Sequence, residues 1–247
     1  ERMLRAFGYD VKTEGNRISL QGGGKLVGTE IQVPSDISSA AFFMVGAAIT
    51  EGSDVTLEAV GINPTRTGVI EILKQMGADI TVENERIAGG EPIADIRIQG
   101  TRTLKGIHMP EDQVPLAIDE FPALFIAAAC AEGRTVLTGA AELRVKESDR
   151  IQVMADGLKT MGIDCTPTDD GIIIEGKGHS GEWGAIFTGG EIESHHDHRI
   201  AMSFSMAGLR TSGEIKIIGT ETVATSFPTF TQLSNQAGLA LQVTEYD

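Results

Sequence analysis

Ser35-Asp36-Ile37-Ser38-Ser39-Ala40, Ile118-Asp119-Glu120-Phe121-Pro122-Ala123 and His196-Asp197-His198-Arg199-Ile200-Ala201 each set an aspartate ahead of an alanine-rich apolar run. Asp36 and Asp119 are 83 residues apart, and Asp119 and Asp197 are 78 apart. Asp before an apolar run is a helix-start signal, so three helices are expected to begin at these aspartates. Each run reaches a glycine, Gly52, Gly133 or Gly213, and then a β-rich stretch, Val55-Thr56-Leu57, Thr135-Val136-Leu137 or Ile215-Lys216-Ile217. A second helix follows in each case and closes at Met76-Gly77-Ala78, Met161-Gly162-Ile163 or Ala237-Gly238-Leu239. The apolar spacing of Val69, Ile72, Leu73 and Met76, and of Ile151, Met154, Leu158 and Met161, gives these second helices one buried face. Four landmarks agreeing in order predict an α/β domain of three similar units over residues 35–247.

Met3-Leu4-Arg5-Ala6-Phe7-Gly8 reads as the last turns of a helix closed by glycine, and Phe7-Gly8-Tyr9-Asp10-Val11 resembles the end of one further unit. Residues 1–34 are therefore expected to be the tail of an upstream lobe. Gly22-Gly23-Gly24-Lys25 lacks the Ser or Thr of a phosphate loop and is expected to be a turn between strands.

The 247 residues carry 20 Lys and Arg against 35 Asp and Glu, a formal net charge of −15. Such a chain repels polyanions, which argues against nucleic acid, while a few aimed cations still allow small anionic substrates. Cys130 and Cys165 have no Cys-x-x-Cys spacing and fit a reducing cytoplasm. The longest apolar stretch, residues 40–49, is too short to span a membrane.

Chemistry-bearing residues gather at the expected helix starts, where free N–H groups and the macrodipole attract anions. The second helices are expected to begin near Asn63-Pro64-Thr65-Arg66-Thr67-Gly68, Lys146-Glu147-Ser148-Asp149-Arg150 and Ala224-Thr225-Ser226-Phe227-Pro228. If a pseudo-threefold arrangement turns these ends to one face, that face is an anion site. The densest cluster is Arg144-Val145-Lys146-Glu147-Ser148-Asp149-Arg150. On a helix, Lys146 and Arg150 would share a face and Glu147 would neighbour Arg150. Asp119 is either a helix cap or an acid/base group. Arg199 in a first turn opposes the dipole, which invites a functional explanation. His195-His196-Asp197-His198 lacks a matching carboxylate cluster, so no metal is expected.

Asn63-Pro64-Thr65-Arg66-Thr67-Gly68, Ile118-Asp119-Glu120-Phe121-Pro122, Arg144-Val145-Lys146-Glu147-Ser148-Asp149-Arg150 and Asp197-His198-Arg199-Ile200-Ala201-Met202 together resemble the EPSP synthase family, in the same order and over essentially the whole chain. The resemblance implies two lobes, each of three β-α-β-α-β-β units with pseudo-threefold symmetry, and substrates bound between them. It implies transfer of the enolpyruvyl group of phosphoenolpyruvate to the 5-hydroxyl of shikimate 3-phosphate, without a cofactor. Asp119 resembles the carboxylate that contacts the 5-hydroxyl and accepts its proton, and Lys146 the cation beside it. Glu147 resembles the acid that protonates the methylene carbon. Arg150 and Arg199 resemble the guanidinium groups that hold phosphoenolpyruvate.

Two departures stand out. Many family members carry a phosphoenolpyruvate-contacting lysine where this chain has Ala224-Thr225-Ser226-Phe227-Pro228, a variant that resembles the glyphosate-tolerant subclass. The first lobe, whose residues complete both substrate sites in the family, is missing, so the chain alone is expected to be inactive or nearly so. The competing readings are a transferase acting on UDP-N-acetylglucosamine, which shares the fold but not both charged strings, and a non-catalytic binding module.

Overall fold

The computed structural model describes residues 1–101, 104–178 and 184–244. Helix α1 (Arg2–Ala6) ends at Gly8, whose φ of 78° lets Tyr9 N–H reach back to the Leu4 carbonyl at 2.9 Å. The hairpin β1 (Val11–Glu14) and β2 (Arg17–Leu20) follows. The glycine-rich turn comes after β2 but leads into no strand, which corrects the expected strand-turn-strand reading. Tyr9 Oη holds it instead, donating to the Gln21 carbonyl at 2.5 Å and accepting from Gly24 N–H at 3.1 Å.

The first unit runs α2 (Ile37–Ala48), β3 (Asp54–Gly61), α3 (Gly68–Gln75), β4 (Asp79–Ala88) and β5 (Glu91–Gln99). β5 lies between β3 and β4, antiparallel to both, and Ser35 adds a parallel bridge to Val60. The second unit repeats this with α4 (Phe121–Cys130), β6 (Glu132–Leu137), α5 (Arg150–Thr160), β7 (Cys165–Thr168) and β8 (Gly171–Lys177). β8 is central, and Lys105 and His108 bridge in parallel to Glu132 and Val136. Counting those bridges as short edge strands, both units are β-α-β-α-β-β. The third has β9 (Gly190–Glu193) parallel to β10 (Ile215–Ile218), with α6 (His198–Ala207) between them. Its second helix is split into α7 (Glu221–Ser226) and α8 (Phe230–Gln236). Pro228 disfavours helical backbone at Phe227, which sits at φ −138°, so Ala224-Thr225-Ser226 ends a helix instead of starting one. The expected last residues of this lobe, 245–247, lie outside the described residues.

The three second helices close as expected on left-handed glycines, with φ of 93° at Gly77, 84° at Gly162 and 105° at Gly238. The first helices α2, α4 and α6 form the core, each packed on the other two. All ten residues of α4 are buried, so it is apolar on every face, as a helix enclosed by others must be. Phe42 of α2 meets Phe230 edge-on, and its neighbour Phe43 meets Phe227 edge-on and Phe230 at a tilt, each pair with centroids 6.1 Å apart, which docks the end of the third unit onto the first.

Candidate active site

The start of α4 lies one residue later than the sequence suggested. Pro122 occupies the first turn, where its missing N–H costs nothing, and the residue in the cap position is Glu120. Asp119 is thereby released from capping, and its half-exposed carboxylate turns to Lys146 Nζ at 3.5 Å and Arg150 Nη1 at 3.3 Å. Both cations come from the charged septet, where the second helix starts as expected but only at its last residue: Ala141–Val145 form a 3₁₀ turn, residues 146–148 bend, and α5 begins at Arg150, so Lys146 and Arg150 do not share a helix face. Asp149 caps α5 through Gln152 N–H at 3.0 Å and pairs with Arg144 Nη1 at 2.6 Å. Arg144 also holds the Asp169 carbonyl at 2.9 Å, so its charge ties the septet to the β7–β8 turn.

Asp197 caps α6, accepting from Arg199 N–H at 2.9 Å. His195 and His196, just ahead of it, sit in the left-handed region at φ 53° and 59°, a strained turn that delivers Asp197 to its place. There its fully buried carboxylate receives Arg150 Nε and Ser148 Oγ, each at 2.9 Å. Arg150 is equally buried, and its Nη2 donates to Glu147 Oε2 at 2.5 Å. One guanidinium thus carries three carboxylates, two from its own unit and one from the third. Arg199 Nη1 donates to the Asp119 carbonyl at 3.1 Å.

Asp119, the septet residues Lys146, Glu147 and Arg150, and Arg199, three separate stretches of sequence, therefore meet in one cluster. Its edge toward solvent is formed by Glu147, Asp119 and Lys146, whose side chains are 52%, 31% and 21% exposed. Burial pulls the Asp119 carboxyl group upward in pKa, but Arg199, Lys146 and Arg150 outweigh it, and it lies below its ordinary value of 3.8. Asp197 is likewise pulled up by burial and drawn below 3.8 by Arg150, Ser148 and the Arg199 amide. Lys146 is raised, first by its bond to Glu142 and then by Asp119. Burial lowers His198 beneath 6.5, with Arg199 adding to the shift, which favours its neutral form.

Several members of the network were not singled out from sequence: Ser148, Glu142, and the group of Ser38, Arg66 and Glu120. Asp197 was read only as a helix start. The available signals were small: the acid pair Asp119-Glu120 ahead of a wholly apolar helix, and Ser38 in the first turn of another. In the stretch Ala224-Thr225-Ser226-Phe227-Pro228, Thr225 is exposed on α7 and donates to the Thr222 carbonyl at 2.8 Å. A hollow of about 610 Å³ lined by Tyr9, Lys12, Leu20, Gln21 and Lys25 belongs to the amino-terminal hairpin and contains none of the clustered residues.

The profile of the family EPSP synthase (3-phosphoshikimate 1-carboxyvinyltransferase) matches residues 1–233. A 3-phosphoshikimate 1-carboxyvinyltransferase of Methylococcus capsulatus is 63% identical over 98% of this chain and 54% of its own length. That of Nitrosococcus oceani is 62% identical over 98% of this chain and 52% of its own. The chain spans about half the length of the curated relatives it matches. Among solved structures, EPSP synthase from Acinetobacter baumannii superposes with a TM-score of 0.97 at 88% identity, over 99% of this chain and 55% of that one. The enolpyruvyl transferase NikO from Streptomyces tendae superposes with a TM-score of 0.72 at 18% identity, over 99% and 53%, a likeness of fold alone. With the family profile running through all three units and the same fold in relatives both near and remote, the chain belongs to the EPSP synthase family.

Proposed function

We propose that this chain is the carboxyl-terminal lobe of an enzyme that moves the enolpyruvyl group of phosphoenolpyruvate onto the 5-hydroxyl of shikimate 3-phosphate, releasing phosphate. Residues 1–34 are the tail of the preceding lobe and residues 35–247 the lobe itself. The amino-terminal lobe completes both substrate sites, and the chain alone is inactive or nearly so. The observation that carries this reading is the meeting of Asp119, Lys146, Glu147 and Arg150 of the second unit with Arg199 of the third.

The addition step needs a proton delivered to the methylene carbon of phosphoenolpyruvate and one removed from the attacking hydroxyl. Asp119, kept ionised by three cations, accepts the hydroxyl proton, and Lys146 beside it stabilises the developing oxyanion. Glu147, the most exposed carboxyl group of the cluster, donates to the methylene carbon. Arg199 and the Arg150 fork hold the phosphate and carboxylate of phosphoenolpyruvate, whose oxygens compete with Asp119 and Glu147 for the Arg150 donors. In the tetrahedral adduct Glu147 takes back a methyl proton as phosphate leaves with the proton held by Asp119, which restores the carbon–carbon double bond and both carboxyl groups.

The test is turnover of the full-length protein carrying this sequence, measured as phosphate release from phosphoenolpyruvate. Shikimate 3-phosphate is the expected acceptor, and release with UDP-N-acetylglucosamine in its place refutes the assignment. Glu147→Gln is expected to lower turnover by about 10²-fold while sparing shikimate 3-phosphate binding, and near-normal turnover removes Glu147 from the mechanism.

A further inference from the structure

One buried carboxyl group at the cluster has no part in the proposed reaction. Glu120 is 2% exposed and stands where the first turns of α2, α4 and α6 come together. It occupies the cap position of α4 yet makes no side-chain bond to that helix. Its Oε1 accepts from Ser38 Oγ of the first unit. Arg66 Nη2 donates to the same Ser38 Oγ at 2.7 Å and lies 3.7 Å from Glu120 Oε1. The direction of this chain is fixed by its members. A guanidinium has no lone pair to offer, so Ser38 accepts from Arg66 and its single proton goes to Glu120.

The backbone adds the link to chemistry. The carbonyl that receives Arg199 Nη1 at 3.1 Å belongs to the peptide joining Asp119 to Glu120. A side chain that anchors Glu120 therefore anchors that peptide, the Asp119 carboxylate on one side of it and the Arg199 contact on its oxygen. Burial draws the Glu120 pKa upward, against Ser38, Arg199 and Arg66. An acceptor carboxylate here also counters the positive ends of three converging helices.

We infer that Glu120 is a positioning residue: anchored by Ser38 and Arg66, it fixes the Asp119–Glu120 peptide and so sets the spacing between the Arg199 guanidinium and the Asp119 base. The inference rests on the proposed reaction, and the test keeps the two apart. In the full-length protein, Glu120→Gln is expected to raise KM for phosphoenolpyruvate by about tenfold while kcat stays within about threefold. The acid limb of kcat/KM moves to lower pH, because a like charge beside Asp119 has gone. Glu120→Asp, which keeps the charge, recovers part of the KM. A purely structural role lowers Tm and the active fraction but leaves KM and the pH profile at parental values, and that result overturns the inference. If Glu120→Gln does not fold, Ser38→Ala removes the anchoring hydroxyl with little change of volume, and a parental KM there overturns it equally. A crystal structure of a folded variant decides the positioning claim even if the parent does not turn over these substrates. Arg199 withdrawn from the Asp119 carbonyl supports it, and an unmoved Arg199 overturns it.

Discussion

Removing the Asp197 carboxylate should be among the most damaging single changes to stability in this chain. Asp197 accepts Arg150 Nε, Ser148 Oγ and Arg199 N–H, each at 2.9 Å, and neither it nor Arg150 is open to solvent. Breaking a buried ion pair from one side strands the other charge and costs about 3–5 kcal/mol. Loss of the α6 cap adds about 1 kcal/mol. Asp119 and Glu147 stay on Arg150 and absorb part of the stranded charge. Asp197→Ala is therefore expected to destabilise by about 4 kcal/mol, roughly 1,000-fold in the folding equilibrium. Urea unfolding followed by circular dichroism measures this. Adding Arg150→Met removes the stranded guanidinium, and the double variant should regain about 2 kcal/mol or more. The pH dependence has a definite sign. The folded Asp197 pKa lies below 3.8, so its contribution is complete above that value and is lost as pH falls through the lower folded pKa. The parent should lose this increment in acid, and Asp197→Ala has none to lose. An Asp197→Ala variant within about 1 kcal/mol of the parent, or a double variant no better than the single, refutes the reasoning.

Other outcomes follow from the same geometry. Arg199→Ala in the full-length protein should raise KM for phosphoenolpyruvate by about tenfold or more with a smaller effect on shikimate 3-phosphate, and an unchanged value rejects its assignment. Gly157→Ala in α5 should destabilise, although alanine usually favours a helix by about 1 kcal/mol. A Cβ there would lie 2.3 Å from Cζ of the fully buried Phe204 in α6, and overpacking of this kind costs about 1–3 kcal/mol. A Tm at or above the parental value would show that α5 and α6 can separate without loss.

The repeat was legible because its punctuation is local. A glycine at Gly77, Gly162 or Gly238 is needed by backbone geometry wherever such a helix closes, and the apolar spacing of Ile151, Met154 and Leu158 follows from one buried face. The five clustered residues were identified by family strings, and no rule of spacing places Arg150 beside Asp197. What the sequence hid depends on tertiary packing. Arg150 adjoins the apolar face of α5 but carries a charge that is almost never fully buried unless paired, and its partner lies 47 residues away. Asp119 and Glu120 are neighbours with opposite fates, one toward solvent and one into the interhelical core. The position of Pro122 was the one local clue that the helix began later than Asp119. The short edge pairings at Ser35, Lys105 and His108 are too brief to leave a pattern of alternation.

A helix without a polar side has a consequence for how the chain is made. α4 emerges from the ribosome with α2 already available to shield part of it, but the surface that α6 will cover stays open until the third unit has been translated. During that interval the nascent protein presents a sticky, unpaired seam, and the third unit, once made, both closes it and brings Asp197 to the waiting Arg150. Sealing of the interior and assembly of the charged cluster are thus a single late event in the biogenesis of the lobe.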